Sequence, residues 1–268
     1  MTPQAEAPPR APAHEFHLNL LGAIQGLLVV IVVALFVLTF LVQPFRIPSE
    51  SMEPTLLIGD FLLVDKVALA PAGRWSGLLP YRHIHRGDVI VFHRSGEEAE
   101  THSEGNYLVK RVAAVPGDHV RMQNGRTVIN GAPQSEPFAL FLPSGPDAYR
   151  DEFPRALYAD EGLDPGWWVQ MHQLVRDGEL IIPESEYFAL GDNRNHSVDS
   201  RYWGLVNADQ IAGRALMVYF SVHMPSPDGG DQAADPAAGA AANDRIGESG
   251  TQGWRQFARW HRMFRVIY

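Results

Sequence analysis

The sequence contains no cysteine. That excludes disulfides, thiol catalysis and Cys-ligated zinc, and it leaves the redox compartment open. Lysine is almost as scarce, with Lys66 and Lys110 the only two in 268 residues. No basic stripe runs through the middle of a chain whose net charge is -9, so nucleic acid is not an expected partner. The common catalytic signatures are missing too: there is no Gly-x-Ser-x-Gly elbow, no Gly-x4-Gly-Lys-Ser/Thr loop and no His-Glu-x-x-His helix. His83 and His85 lack further ligands at useful spacing. The stretch from Asn193 to Asp199 superficially matches a calcium loop, but Val198 stands where glycine is needed and Gly204 where glutamate is needed. Neither a metal nor a cofactor is expected.

What is present divides into zones. A composition 46% hydrophobic and 20% charged is that of a globular chain with a sizeable core. Residues 1–17 are rich in Pro and Ala and are expected to be a disordered tail. Leu18 to Val42 has no charged residue, and 25 residues at 1.5 Å each span a bilayer core of roughly 30 Å. One uncleaved transmembrane helix is expected, because the run is too long for a signal peptide and lacks a basic n-region before it. Short β-type runs follow at Phe61–Val67, Asp88–His93, Tyr107–Val115, His119–Met122 and Thr127–Ile129, separated by Gly59-Asp60, Arg86-Gly87-Asp88 and Pro116-Gly117-Asp118. The pattern predicts a mostly β fold: an antiparallel-sheet domain over 43–223 with an inserted hairpin-rich β subdomain at about 121–186. Asn124-Gly125 and Asn130-Gly131 mark its turns. Residues 132–180, rich in proline and carrying Trp167-Trp168, read as a loop-rich insertion with a few strands. The tryptophans there either face substrate or membrane or are ordinary core anchors.

Beyond a last strand at Arg214–Val222, residues 224–253 read as a flexible Ala, Gly and Pro linker. Residues 254–268 form a basic amphipathic segment, with Trp254, Phe257, Trp260, Phe264 and Ile267 on one helical face and Arg255, Arg259 and Arg262 on another. It reads either as a membrane-surface helix or as a segment docked back on the domain.

The chemistry concentrates at Gln43–Thr55, directly after the apolar run. Ser51 lies between Pro48 and Pro54, which predicts a rigid, extended presentation of its hydroxyl. It is nine residues beyond Val42, so even an extended chain keeps it within about 30 Å of the membrane. Serine is a weak nucleophile unless a base takes its proton, and no histidine partner is evident. Lys110, inside the apolar strand Tyr107–Val115, is the candidate base. A free lysine near 10.4 is well under ~1% neutral around pH 8, so the role demands burial. The strand pattern alone leaves open that its ammonium reaches solvent or pairs with a carboxylate. Lys66, beside Asp65, reads as an ordinary charged strand end. Gly191–Gly204 is a dense polar loop of the kind that carries function.

Five stretches together resemble the type I signal peptidases, the membrane-bound Ser-Lys proteases that remove signal peptides. They are Pro48–Thr55, Gly59-Asp60, Arg86–Phe92, Tyr107–Val112 with Pro116-Gly117-Asp118, and Gly191–Gly204. The resemblance covers most of residues 43–222. It implies that Ser51 is the nucleophile and Lys110 the general base, that Ser197 orients the lysine, and that Ser49 contributes to the oxyanion hole with the Ser51 N–H. Asp199 and Arg201 would form a supporting ion pair, with Asp192 and Arg194 shaping the same loop. Shallow pockets at Phe45, Ile47, Val91 and Val109 would admit an Ala-x-Ala segment bound as an added strand. It also implies an enzyme held in the cytoplasmic membrane with its catalytic domain on the outer face. Its partners would be signal-peptide-bearing preproteins, the lipid bilayer and the secretion translocon. Two alternatives stay open: a Ser-Lys maturation peptidase with a narrow client set, and a catalytically silent β-domain that binds secretory chains. This sequence departs from the family pattern at Asn195-His196 and at Glu50, where Asp-Asn and Gly are common. His196 adds an expected modest pH sensitivity of the loop.

Overall fold

The computed structural model describes residues 13–66, 83–94, 107–142, 145, 147–155, 162–224 and 258–267. The expectations for residues 1–12 of the tail and 225–253 of the linker lie outside them. The chain divides at Val42 into an apolar helix and a β-rich unit. Helix α1 (Ala13–Phe36) starts within the expected tail and continues through a π-helical turn, Val37–Leu41. Leu20–Leu41, 22 residues with a mean hydropathy of 2.9, is long and apolar enough to cross a membrane. None of its most apolar stretch is buried in protein, unlike a core helix. The helical run stops before Gln43-Pro44, because proline pushes the residue before it into extended backbone.

The β-rich unit starts with β1 (Val42–Arg46), an outermost strand, where Pro44 deprives no central ladder of a donor. It pairs with β2 (Asp60–Asp65), whose residues alternate strictly between buried and half-buried. Next in the sheet come β12 (Ile211–Ser221), β3 (Val89–His93), β4 (Tyr107–Ala114), β10 (Glu186–Leu190) and β11 (Val206–Asn207). The strand pairs with a defined register are all antiparallel. Strand β3 reads Val-Ile-Val-Phe because both its faces are covered: Val89 and Val91 pack with Ile47, Met52, Leu56 and Leu62, while Ile90 and Phe92 pack with Val112, Ala189 and Ile211.

A second antiparallel sheet is built from β5 (His119–Gln123), β6 (Arg126–Ile129), β7 (Ala132–Pro133), β8 (Val175–Arg176) and β9 (Glu179–Ile181), in the order β7-β6-β5-β9-β8. Both Asn-Gly pairs turn as their sequence requires, with φ of 50° and 74° at Asn124-Gly125 and 51° and 77° at Asn130-Gly131. The stretch read as loop-rich instead holds the short α2 (Ala148–Asp151) and the ten-residue α3 (Pro165–Leu174). The breakers Pro165-Gly166 concealed α3, yet proline is favourable at the first helical position. Asp164 caps the helix by accepting from Trp167 N at 2.7 Å. Trp167 is buried in the core beneath this sheet with Tyr149, Phe153, Met171 and Phe188.

Of the two readings of residues 254–268, docking on the domain is the one seen over the described part, although not as a helix. Over 258–267 the chain makes a bridge from Ala258 to Val222, a 3-10 turn (Trp260–Arg262) and β13 (Arg265–Val266) paired with β12. Arg259 and Arg262 are buried rather than lined up on a solvated face. Trp254 and Phe257 lie outside the described residues.

Gly204 closes the short α4 (Ser200–Trp203) with φ +102°, and a Cβ there would stand 2.9 Å from Trp167 Cε3. Both the backbone and the ring oppose a side chain. Gly204→Ala is expected to destabilise the protein by about 1–3 kcal/mol, read as a lowered unfolding midpoint, whereas an alanine at solvent-facing Gly131 should cost only its backbone strain.

Candidate active site

Strand β4 pairs with β10 so that Arg111 faces Leu190, and the polar loop leaves β10 at the next residue, Gly191. The loop is therefore delivered beside Lys110. It folds around a fully buried ion pair: Arg201 donates to Asp199 through Nε and Nη2, each at 2.7 Å. Arg201 Nη2 also donates to the carbonyls of Arg194 (3.0 Å) and Ser197 (3.4 Å), while Asp199 accepts from Gly191 N at 3.0 Å. These bonds curl the loop back on itself and aim Ser197 inward. Lys110 Nζ, on a side chain only 4% exposed, donates to Ser197 Oγ at 3.0 Å.

Burial pushes the Lys110 amine down to about 8; the charge of Asp199 opposes this, Arg201 assists it and Asp192 opposes it. The two carboxylates do not spoil the amine because each is held by an arginine. Burial works against the charge of Asp199, yet Arg201 outweighs it and holds the carboxyl below its ordinary value. Asp192 accepts from Arg111 Nε and Nη2 at 2.9 and 2.8 Å. Arg111 is a site residue that sequence reasoning missed, although its place beside Lys110 on an apolar strand marked it. Arg194 does not meet Asp192 but forms a fork with Glu136 (2.7 and 2.8 Å) and donates to Thr127 Oγ1 at 3.1 Å, tying the loop to the second sheet.

Ser51 is not extended. It lies in a 3-10 turn, Glu50–Met52, whereas Ser49 is extended at φ -130° and ψ 159°. The prolines act only on the residue immediately before each, Ile47 and Glu53, and leave Ser51 free to turn. The turn packs against β4 with Met52 buried beneath it. Ser51 O accepts from Asn193 N at 3.1 Å, and Ser49 Oγ stands 3.5 Å from Ser51 Oγ. Ser51 and Lys110 do not hydrogen-bond to each other; Gly191 lies between the Ser51 turn and Ser197, since a Cβ there would run into Ser197 Oγ and stand 2.5 Å from Ser51 O. Only a residue without a side chain lets the two loops approach this closely. The two departures from the family pattern face each other, with His196 Nδ1 3.4 Å from Glu50 Oε1.

Phe45, Ile47, Val91 and Val109 belong to one apolar cluster. Ile47 and Val91 are its buried floor, and Phe45 and Val109 are its partly open wall. Among the described residues no group of three or more His, Asp or Glu side chains is arranged to hold a metal ion.

A serine turn beside a buried lysine of lowered proton affinity, with a second serine on the amine, is the equipment of a serine hydrolase that works without histidine. Comparison with known proteins gives the family. The family described as signal peptidase, peptidase S26, matches residues 20–220, and the chain belongs to it. It is 31% identical over 226 residues to "Signal peptidase I" of Leptolyngbya laminosa, covering 83% of this chain and 92% of that one. It is 34% identical over 208 residues to "Signal peptidase I" of Pseudomonas aeruginosa, covering 72% and 69%. A crystal structure of a signal peptidase I from Enterococcus faecalis V583 is 27% identical, with a TM-score of 0.34 over 50% of this chain and 97% of that one. The protein is a serine peptidase of the family that removes signal peptides from preproteins, and its apolar helix marks it as membrane-anchored.

Two predictions follow from the geometry. Gly191→Ala should fold but lose at least about a hundredfold in kcat/KM on a cleavable peptide, because an ångström of displacement between Ser51 and Ser197 costs that much. Lys110→Met should be more stable than the wild type below pH 8, by up to about 3 kcal/mol less the lost Ser197 hydrogen bond of about 1. Between about 8 and 10.4 the unfolded state binds a proton that the folded state does not. The wild type should therefore gain stability with pH across that window, and the difference in unfolding free energy between the two proteins should close.

Proposed function

We propose that Ser51 is the nucleophile and Lys110 the general base, in an enzyme that cleaves preproteins after an Ala-x-Ala-like site. The observation that carries this reading is the buried Lys110 amine, lowered to about 8 and held at 3.0 Å by Ser197 Oγ. An orienting hydroxyl adds no charge, so the amine stays easy to deprotonate. In the first step Ser51 Oγ rotates from Ser49 toward Lys110, attacks the scissile carbonyl and gives its proton to the neutral amine. The oxyanion is received by the Ser51 N–H and the Ser49 hydroxyl, donors worth roughly 3 kcal/mol apiece. The lysine ammonium then protonates the leaving amine, which departs as the mature protein's N-terminus. A water deprotonated by Lys110 cleaves the acyl ester and frees the signal peptide. Asp199, Arg201, Asp192 and Arg194 keep the loop in register without touching substrate.

The substrate segment lies extended, its small side chains over Phe45 and Val109 and above the floor of Ile47 and Val91. Those shallow walls suit alanine and exclude larger groups. The catalytic unit works on the outer face of the cytoplasmic membrane, against the bilayer and next to the translocon that delivers the chain. Ser51 standing nine residues past Val42, within about 30 Å of it, supports the nearness to the bilayer, and membership of the signal peptidase family supports the outer face and the translocon.

With an Ala-x-Ala peptide in detergent, kcat/KM should rise with pH through an apparent value near 8 and level off as Lys110 becomes neutral. Ser51→Ala and Lys110→Met should each lose at least about a thousandfold. Robust cleavage by Lys110→Met would remove the lysine from the mechanism. Failure of the wild type on any such peptide would leave a narrow-client peptidase or a binding domain in its place.

A further inference from the structure

The turn that carries Ser51 is continued by residues 53–60, which return to the sheet at Asp60. Leu56 N donates to Met52 O at 2.9 Å, Asp60 N to Leu57 O at 3.0 Å and Gly59 N to Ile47 O at 3.0 Å, so the segment is one hydrogen-bonded unit with the Ser51 turn. Its inner end is a fully buried carboxylate. Asp60 accepts from Leu57 N (2.9 Å) and Ser221 Oγ (2.6 Å), and those neutral donors do not balance its charge.

The balancing charge arrives from far along the chain. Arg262 donates to Asp60 Oδ2 through Nη2 at 2.6 Å and to Oδ1 through Nε at 3.2 Å. The same Nη2 donates to Thr55 O at 3.0 Å. Arg259 stands 3.9 Å from Asp60 Oδ1 and donates to Ile58 O at 2.9 Å. Ile267 packs with Ile47, Met52 and Leu56 beneath the turn. Thr55 is gripped from the opposite side too, because its hydroxyl accepts from Arg111 Nη2 at 3.3 Å, and Arg111 holds Asp192 in the Lys110 loop. Thr55 is thus clamped between the 258–267 segment on one side and the lysine strand on the other.

We propose that Arg262 is a positioning residue for the peptidase site: through Asp60 and Thr55 it sets the distance of the Ser51 turn from Lys110. The basic residues of this segment are therefore divided in use, Arg259 and Arg262 buried behind the nucleophile and Arg265 exposed. This inference rests on the reading of Ser51 and Lys110 as the reacting pair.

The test uses the full-length protein in detergent with an Ala-x-Ala peptide, comparing wild type, Ser51→Ala, Arg262→Ala, Arg262→Lys and Arg265→Ala. Each is assayed well below its own unfolding midpoint, so that lost folding is not counted as lost catalysis. Arg262→Ala should lose at least about tenfold in kcat with KM within about twofold, a split that a displaced nucleophile produces and a damaged substrate groove does not. Arg262→Lys should recover part of the loss, since an ammonium can reach Asp60 but lacks the fork that also holds Thr55 O. Arg265→Ala removes the same charge from the surface and should stay within about twofold. A folded Arg262→Ala with wild-type kcat, or an equal loss in Arg265→Ala, would overturn the proposal. Should Arg262→Ala not fold, Arg262→Lys decides: kcat lowered at least about threefold at unchanged KM supports the proposal, and wild-type kcat overturns it. An inactive wild type would instead refute the underlying reading of the site, and activity in Ser51→Ala would do the same.

Discussion

The site depends on keeping an amine buried among carboxylates without letting any of them hold its proton. Lys110 is close enough to Asp199 and Asp192 to feel both charges, and in the open either would lock it as an ammonium. Each is instead committed to an arginine by a two-pronged bond, Asp199 to Arg201 and Asp192 to Arg111. What reaches Lys110 directly is the neutral hydroxyl of Ser197. Desolvation then dominates and holds the amine at about 8, which is what the proposed role of general base requires.

This arrangement explains why so much of the chain surrounds so small a site. Arg201 must stay where it is, and its carbonyl is held by Tyr149 OH at 2.7 Å and Trp167 Nε1 at 3.2 Å, both from the inserted region. Arg194 is held from the same side by Glu136 and Thr127. The second sheet therefore serves as the rear wall of the lysine loop, and the 258–267 segment does the corresponding work behind the serine turn. A buried ion pair adds little to stability in itself. Here its worth lies in fixing where hydroxyls and amines point.

Much of this was legible in the sequence, for identifiable reasons. Two lysines in the whole chain made Lys110 stand out, and the Asn-Gly pairs specified their hairpin turns through backbone sterics alone. Local rules failed where pairing is long-range. Nothing near Asp192 announces Arg111, 81 positions away, and nothing near Asp60 announces Arg262, 202 positions away. The last segment looked like an amphipathic helix because its arginines are suitably spaced. Arg259 and Arg262 are instead turned into the domain around the Asp60 carboxylate, which is the docked-back alternative, while Arg265 stays exposed. Gly191 gave no signal of its own, since its role is the absence of a side chain between two loops. The 3-10 turn at Ser51 differs from the expected extended presentation because a proline's influence ends at its immediate neighbour.

The scarcity of lysine also makes the proton affinity of Lys110 directly measurable. Protein labelled with 13C at lysine Cε gives one signal from each of its two lysines, and the signal lost in Lys110→Met is that of Lys110. In the folded protein this signal should titrate near 8. Titration of the same signal at the ordinary lysine value near 10.4 would mean that the amine is charged at working pH, and would contradict the proposed role of general base.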